Sequence, residues 1–265
     1  MIDFATPQLR FSSVRRQAKL AALEQNYVLP QLGGSLYEFS ILSGHNCPWA
    51  RECHAQVETR DDGTRTVRDG AETRFRCFSA SQEALYPSLY ARRAENSAVV
   101  ALAARSPLRA AEALADALPD DAAAVRIHVG GDFRTLAYFD AWRVLAVMRP
   151  GVRFYAYTKA LPLWVKRKDA IPRNLVLTAS YGGTHDRLIR QHRLRYAQVV
   201  YSAAEARQLR LAIDHDDSHA IQRGRSFALL IHGVQPKGSA AAAATAELRR
   251  QLGQRGGAVG YGRDS

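Results

Sequence analysis

The apolar residues of this chain come in short dense runs separated by longer amphipathic stretches. Six runs read as strands: Leu36 to Leu42, Val125 to Val129, Val152 to Tyr157, Leu175 to Thr178, Gln198 to Tyr201 and Phe227 to Ile231. Glycines stop several of them, at Gly130-Gly131, Gly182-Gly183 and Gly233, as expected where a strand gives way to a turn. Between the runs the spacing becomes helical. Ala80, Ala84, Leu85, Leu89, Ala94, Val99 and Leu102 predict a helix over 79–104, capped by Ser79 or Ser81, and Pro107 opens another over 108–118. Helical patterns follow at 138–148, 161–168 and 203–211, with one or two turns at 186–191. Alternating strands and helices predict βα units on a parallel sheet with right-handed crossovers. The strand runs carry few charges, as expected when both sheet faces are covered. The expected fold is α/β, a partial (β/α)6 barrel open on one side, with a cysteine-bearing loop after the first strand.

Three stretches stand apart from that alternation. Residues 1–35 are polar and basic, with Arg15, Arg16 and Lys19 on a short helix, and read as an N-terminal helical extension. Val57 to Arg74 carries many charges plus Gly63 and Gly70, and reads as a surface loop or hairpin. Residues 239–265 form a low-complexity tail: an alanine run and 247–254 predict a helix, and the glycine-rich end, 256–265, predicts disorder. The α/β domain then spans 36–238. At 265 residues the chain is long enough for a sizeable core, and its 47% hydrophobic content excludes an intrinsically disordered class. No run of about 18 apolar residues occurs, so no transmembrane helix is expected. The first 16 residues lack an apolar signal core, which predicts a cytoplasmic protein.

Charge adds a candidate partner. Lys+Arg number 37 against 25 Asp+Glu, a formal net charge of +12. Such a balance attracts nucleic acid or another polyanion. The competing reading is solubility, since the arginines are spread along the chain and form no tract. Arg92-Arg93 and Lys166-Arg167-Lys168 fit phosphate binding and plain surface charge equally well.

The cysteines change the picture most. All three, Cys47, Cys53 and Cys77, fall between the first strand and the first long helix. An odd number argues against a disulfide framework. The spacing Cys47-x5-Cys53-x23-Cys77 lacks the close pairs of structural zinc sites. His45 or His54 would complete a zinc site, and three ordinary buried thiols remain a further reading. Two of the three share one polar loop with Gly44 and Pro48. Three thiolates after a strand fit a [4Fe–4S] cluster best. The fourth iron then takes an exogenous ligand, water, or a side chain. His45, two residues before Cys47, leads the side chains; His128, inside a strand and facing a barrel interior, is another.

Other chemistry sits at strand ends. Gly130, Gly131 and Asp132 follow the second strand, where paired glycines let a ligand approach the backbone and free amides face an anion. Asp132 suits an amine or hydroxyl. Thr158, Lys159 and Ser180 end later strands on the same rim, as do Tyr201-Ser202 and His232, and together they predict a polar pocket. Asp214-His215-Asp216-Asp217-Ser218-His219 is rich in metal-ligating types and is read here as a solvated acidic loop.

A cluster loop after the first strand and a Gly-Gly-acid turn after the second resemble the radical SAM enzymes. That resemblance implies a partial barrel, S-adenosylmethionine on the open iron, and a turn contacting its amino group. Here Asp132 stands where those enzymes carry glutamate, and the cysteine spacing differs from their Cys-x3-Cys-x2-Cys. Gly44-His45-Asn46-Cys47-Pro48, Arg126 to Phe133, Phe154 to Lys159 and Asn174-Leu175 more closely resemble the phage gene product 88 family. That resemblance implies a phage or prophage origin and a bacterial host cytoplasm, and carries no reaction. The expected function is a phage-type iron–sulfur protein, a radical SAM-like enzyme of unknown substrate; the alternative is a non-catalytic iron–sulfur protein that binds nucleic acid or a protein partner.

Overall fold

All six apolar runs form strands, and all six lie parallel in one sheet. The computed structural model describes residues 8–253; the expected disorder over 256–265 lies outside the described residues. In chain order the elements begin with β1 (Ser12–Ser13), α1 (Ala18–Leu23), a π-helical turn over 24–28 and α2 (Leu29–Leu32), then β2 (Ser35–Phe39). A hairpin, β3 (Ala55–Thr59) and β4 (Arg65–Asp69), precedes α3 (Phe78–Leu85), α4 (Pro87–Arg105) and α5 (Pro107–Ala117). The alternation follows: β5 (Ala122–Ile127), α6 (Leu136–Met148), β6 (Arg153–Thr158), α7 (Leu161–Lys166), β7 (Leu175–Ser180), α8 (Arg187–Gln191), β8 (Tyr196–Val200) and α9 (Ala203–Gln208). β9 (Ala212–Ile213), α10 (Ser218–Ile221), β10 (Phe227–Leu230) and α11 (Ala240–Gly253) complete the chain.

The sheet runs β1-β2-β5-β6-β7-β8-β10-β9, with only β1 antiparallel. Its register lines up Val125, Phe154 and Leu175 on one face, and Arg126, Tyr155 and Val176 on the other. The first face packs under α4, α5 and α6 in a core that includes Val99, Leu114, Phe139, Trp142 and Leu145. The second is covered by the N-terminal segment, through Leu20, Leu23 and Val28, and by Ala220 and Ile221 of α10. The segment over 8–35 therefore shares a core with the sheet. Its spacing reads as a polar extension because its apolar residues occupy only one narrow stripe.

Three differences from the sequence reading have simple causes. The helix expected over 79–104 is two helices, because Pro87 drives Tyr86 to an extended ψ of 102°. The helix expected to 211 stops at Gln208, because Arg210 turns to a positive φ of 56°. The loop over 214–219 is not a solvated acidic loop: Asp214 and Asp217 are buried, and Asp217 is fully enclosed. Among the described residues no helix is long and apolar enough to cross a membrane.

Candidate metal centre at the carboxyl edge

The chain leaves β2 over the carboxyl edge of the sheet and folds into the cysteine loop. Gly44 adopts a positive φ of 69°, and a Cβ there would strike Ala55 and Gln56 of the hairpin. This tight approach carries Cys47 round a turn, its amide bonded to the Gly44 carbonyl at 3.0 Å. The amides of Arg51 and Glu52 then bond the Gly182 carbonyl at 3.1 and 2.9 Å, docking the loop on the end of β7. Arg74 and Phe75 bond back to the Glu52 carbonyl at 2.8 and 3.2 Å. That pairing brings the segment ending in Cys77 alongside Cys53, although 23 residues separate the two in sequence.

The three thiols consequently share one electrostatic neighbourhood. Burial pushes the Cys47 thiol well up, and charge on Asp132, Cys77 and Cys53 pushes it further. Burial and then Cys53 raise Cys77 to about 11. No disulfide links them, and each is partly exposed. Backbone amides work in the opposite direction. The Gly44 amide favours the Cys47 thiolate, and the Ala80 and Ser79 amides favour that of Cys77 at the start of α3. Three neighbouring thiols, two of them facing amide donors, suit a cationic metal group. Among the described residues, no three His, Cys, Asp or Glu side chains are arranged around one ion. The thiolates of a cluster bind different irons and need not converge on one point.

A buried ion pair braces this loop. The Arg93 guanidinium donates to Glu83 at 2.7 Å and to the Ser79 hydroxyl at 2.5 Å. Glu83 in turn accepts the Ser43 amide and hydroxyl at 3.1 and 2.9 Å. Arg93 reads in the sequence as phosphate-binding or surface charge beside Arg92, yet it is buried; Glu83 and Ser43 did not stand out, because a single polar residue gives no sign of its burial.

The Gly-Gly turn after β5 does something other than expected. A Cβ on Gly130 would collide with Ser79 and Arg93, and one on Gly131 with Ile41. The amides of Val129 and Gly130 are taken by the Ser40 hydroxyl at 3.1 Å each. The room these glycines leave is filled by the segments that carry the cysteines. Asp132 is likewise engaged. Its carboxylate accepts Thr158 Oγ1 at 2.6 Å, the Lys159 amide at 2.8 Å and the Phe133 amide at 2.7 Å. Burial outweighs these bonds and raises its pKa. Lys159 reaches along the rim to the Ser180 hydroxyl at 2.6 Å and the Tyr181 carbonyl at 2.7 Å. The structure thus brings Asp132, Thr158, Lys159 and Ser180 into one connected rim beside Cys47.

The histidines fall elsewhere. His45 is exposed, with Nε2 3.3 Å from the Val57 carbonyl of the hairpin. His128, expected to face a barrel interior, lies on the helix-covered face instead. A φ of 65° turns it into the helix-side core, where Nε2 meets the Tyr138 hydroxyl at 2.9 Å and the ring packs on Phe133 and Trp142. Burial lowers its pKa to about 3. Next to the cysteine loop, Glu52, Arg74, Tyr181, Asp186, Tyr201 and Glu205 line a pocket of about 200 Å³.

Beneath this rim, on the second face, lies a buried ionic knot. Asp217 bonds Arg126 at 2.5 Å, Lys19 at 2.7 Å and the Tyr157 hydroxyl at 3.1 Å. Burial opposes the charge on Asp217, but Arg126 and Lys19 outweigh it and hold the carboxyl below its usual range. One sequence signal pointed here: Arg126 interrupts an apolar run, and a charge in a covered strand must find a partner.

No curated protein and no solved structure matches this chain. A family model described as Gene product 88 matches residues 11–251. That span holds the three cysteines, the sheet and the rim, and the chain belongs to the Gene product 88 family.

Proposed function

We propose that this is an iron–sulfur protein holding one [4Fe–4S] cluster through Cys47, Cys53 and Cys77, with one iron open to an exogenous ligand. The observation that carries the reading is the mutual influence of three thiols gathered from two segments, with amide donors at two of them. The bond of His45 to the hairpin supports an exogenous ligand over its imidazole on the open iron. Six parallel strands in chain order, with the cysteines over their carboxyl ends, support a partial barrel of the radical SAM kind. Such a cluster, when bound, supplies single electrons to a ligand on its open iron. The chain's own part is to hold the thiolates with the Gly44, Ser79 and Ala80 amides. Lys159 sets positive charge at the rim, and the pocket beside Cys53 receives a substrate. The phage family and free thiols fit action in a host cytoplasm.

One observation favours a second, non-catalytic reading. The Asp132 carboxylate already serves Thr158, Lys159 and Phe133, which leaves it poorly placed to hold a substrate amine. The two readings separate on reduced, cluster-loaded protein. Cleavage of S-adenosylmethionine, with a changed electron paramagnetic resonance signal on its addition, establishes the enzyme. Unchanged spectra and intact S-adenosylmethionine establish a redox or structural role.

A further inference from the structure

The opposite edge of the sheet, where strands begin, carries a row of arginines. The segments entering β7, β8, β9 and β10 are Ile171 to Asn174, His192 to Arg195, Leu209 to Leu211 and Gln222 to Ser226. Together they hold six arginines, at 173, 193, 195, 210, 223 and 225, and no acid. Arg195 turns inward and bonds the Ala220 carbonyl at 3.1 Å, and Arg223 bonds the Arg173 carbonyl at 3.1 Å. Arg173, Arg193, Arg210 and Arg225 are exposed, with no side-chain partner among the described residues. β8, β10 and β9 start level, so Arg193, Arg225 and Arg210 form a file about 10 Å long at roughly 4.8 Å per strand, while β7 starts some four residues earlier and sets Arg173 further out along the strand direction.

Two of the four occupy a costly position. Ile189-Arg190-Gln191-His192-Arg193-Leu194 and Ala206-Arg207-Gln208-Leu209-Arg210-Leu211 end α8 and α9 in the same way. The Leu194 and Leu211 amides bond the carbonyls of Ile189 and Ala206 at 2.9 and 3.0 Å. Arg193 and Arg210 sit at left-handed φ values of 51° and 56°. Glycine fits that site best, and an L side chain there is strained. The helix dipole explains an arginine in the last turn, at Arg190 or Arg207. It does not explain one past the end, where glycine would cap better.

We propose that this amino edge is a nucleic-acid contact surface, with Arg173, Arg193, Arg225 and Arg210 set against the phosphate backbone. A duplex carries a charge every ~1.7 Å of its axis, so a file of about 10 Å, with Arg173 beyond it, meets several phosphates at once. Phosphate contacts carry no sequence information, so the contact is sequence-independent. The surface lies across the sheet from the cysteines and does not depend on the cluster.

Fluorescence anisotropy of full-length protein with labelled duplex DNA, single-stranded DNA and duplex RNA tests it, each over a salt series. The test variant is R193G/R210G, which relieves strain and keeps the fold, as an unchanged or raised melting temperature verifies. The expected result is a tenfold or greater loss of affinity for at least one of these nucleic acids, with its salt slope shallower by about two. R60A/R109A, the same change in net charge elsewhere, should leave that slope unchanged. An unaltered slope in R193G/R210G, equal losses in both variants, or equally tight binding of phosphatidylglycerol vesicles would overturn the proposal.

Discussion

Of the three proposed ligands, Cys53 is the one whose loss is most informative, because it stands where two distant segments meet. Cys53→Ala should abolish iron retention and increase hydrogen exchange over 44–78, where metal binding and loop order are coupled. His45→Ala should leave the Mössbauer signal of the unique iron unchanged, since its ring faces Val57; an altered signal would make His45 a ligand. Gly131→Ala meets both a positive φ of 88° and Ile41, and should cost about 2–3 kcal/mol in urea unfolding. His128 gives a pH signature. Its folded pKa, about 3, lies below the unfolded value of about 6.5. The unfolded chain therefore binds the proton first, and stability is full above pH 6.5 and falls below it. His128 should contribute about 1.4 kcal/mol per pH unit between pH 6 and 4, a share lost in His128→Gln, while His232, also held down to about 3 by burial, keeps its own. At this scale the sequence was uneven. It marked the cysteines and Asp132, whose residue types announce chemistry. It could not mark Glu83, and it took Arg93 for phosphate-binding or surface charge, because their roles arise from a pairing made only after folding.

Among elements, the clearest successes are the six strands, since apolar runs bounded by Gly-Gly pairs have few other solutions. Gly182-Gly183 stops β7 as expected, whereas the space left by Gly130-Gly131, read as room for a ligand, is taken up by protein. Gly130-Gly131 and Gly182-Gly183 seat the cysteine loop and α3, and the Val129 and Gly130 amides are taken by the Ser40 hydroxyl. Both uses need a missing Cβ, so sequence alone does not separate them. The elements covering the second face were read least well, because α1, α2 and α10 are four to six residues long and depend on Asp217 for attachment. Asp217→Asn removes one partner from a buried pair and should destabilise by about 3–5 kcal/mol. Limited proteolysis should then cut first near Lys19. Cleavage unchanged from wild type would mean the ionic knot does not hold the N-terminal segment.

The whole molecule separates its tasks across one sheet. The carboxyl edge gathers thiols, a polar rim and a pocket; the amino edge presents arginines; the ionic knot ties the N-terminal segment to the face between them. The central claim is the identity of the metal group at the carboxyl edge. Iron, zinc and sulfide analysis with Mössbauer spectroscopy on anaerobically purified protein tests it most directly. The account predicts brown protein with about four irons and four sulfides per chain and a [4Fe–4S] spectrum with one distinct iron. Colourless protein carrying one zinc and no iron would contradict it.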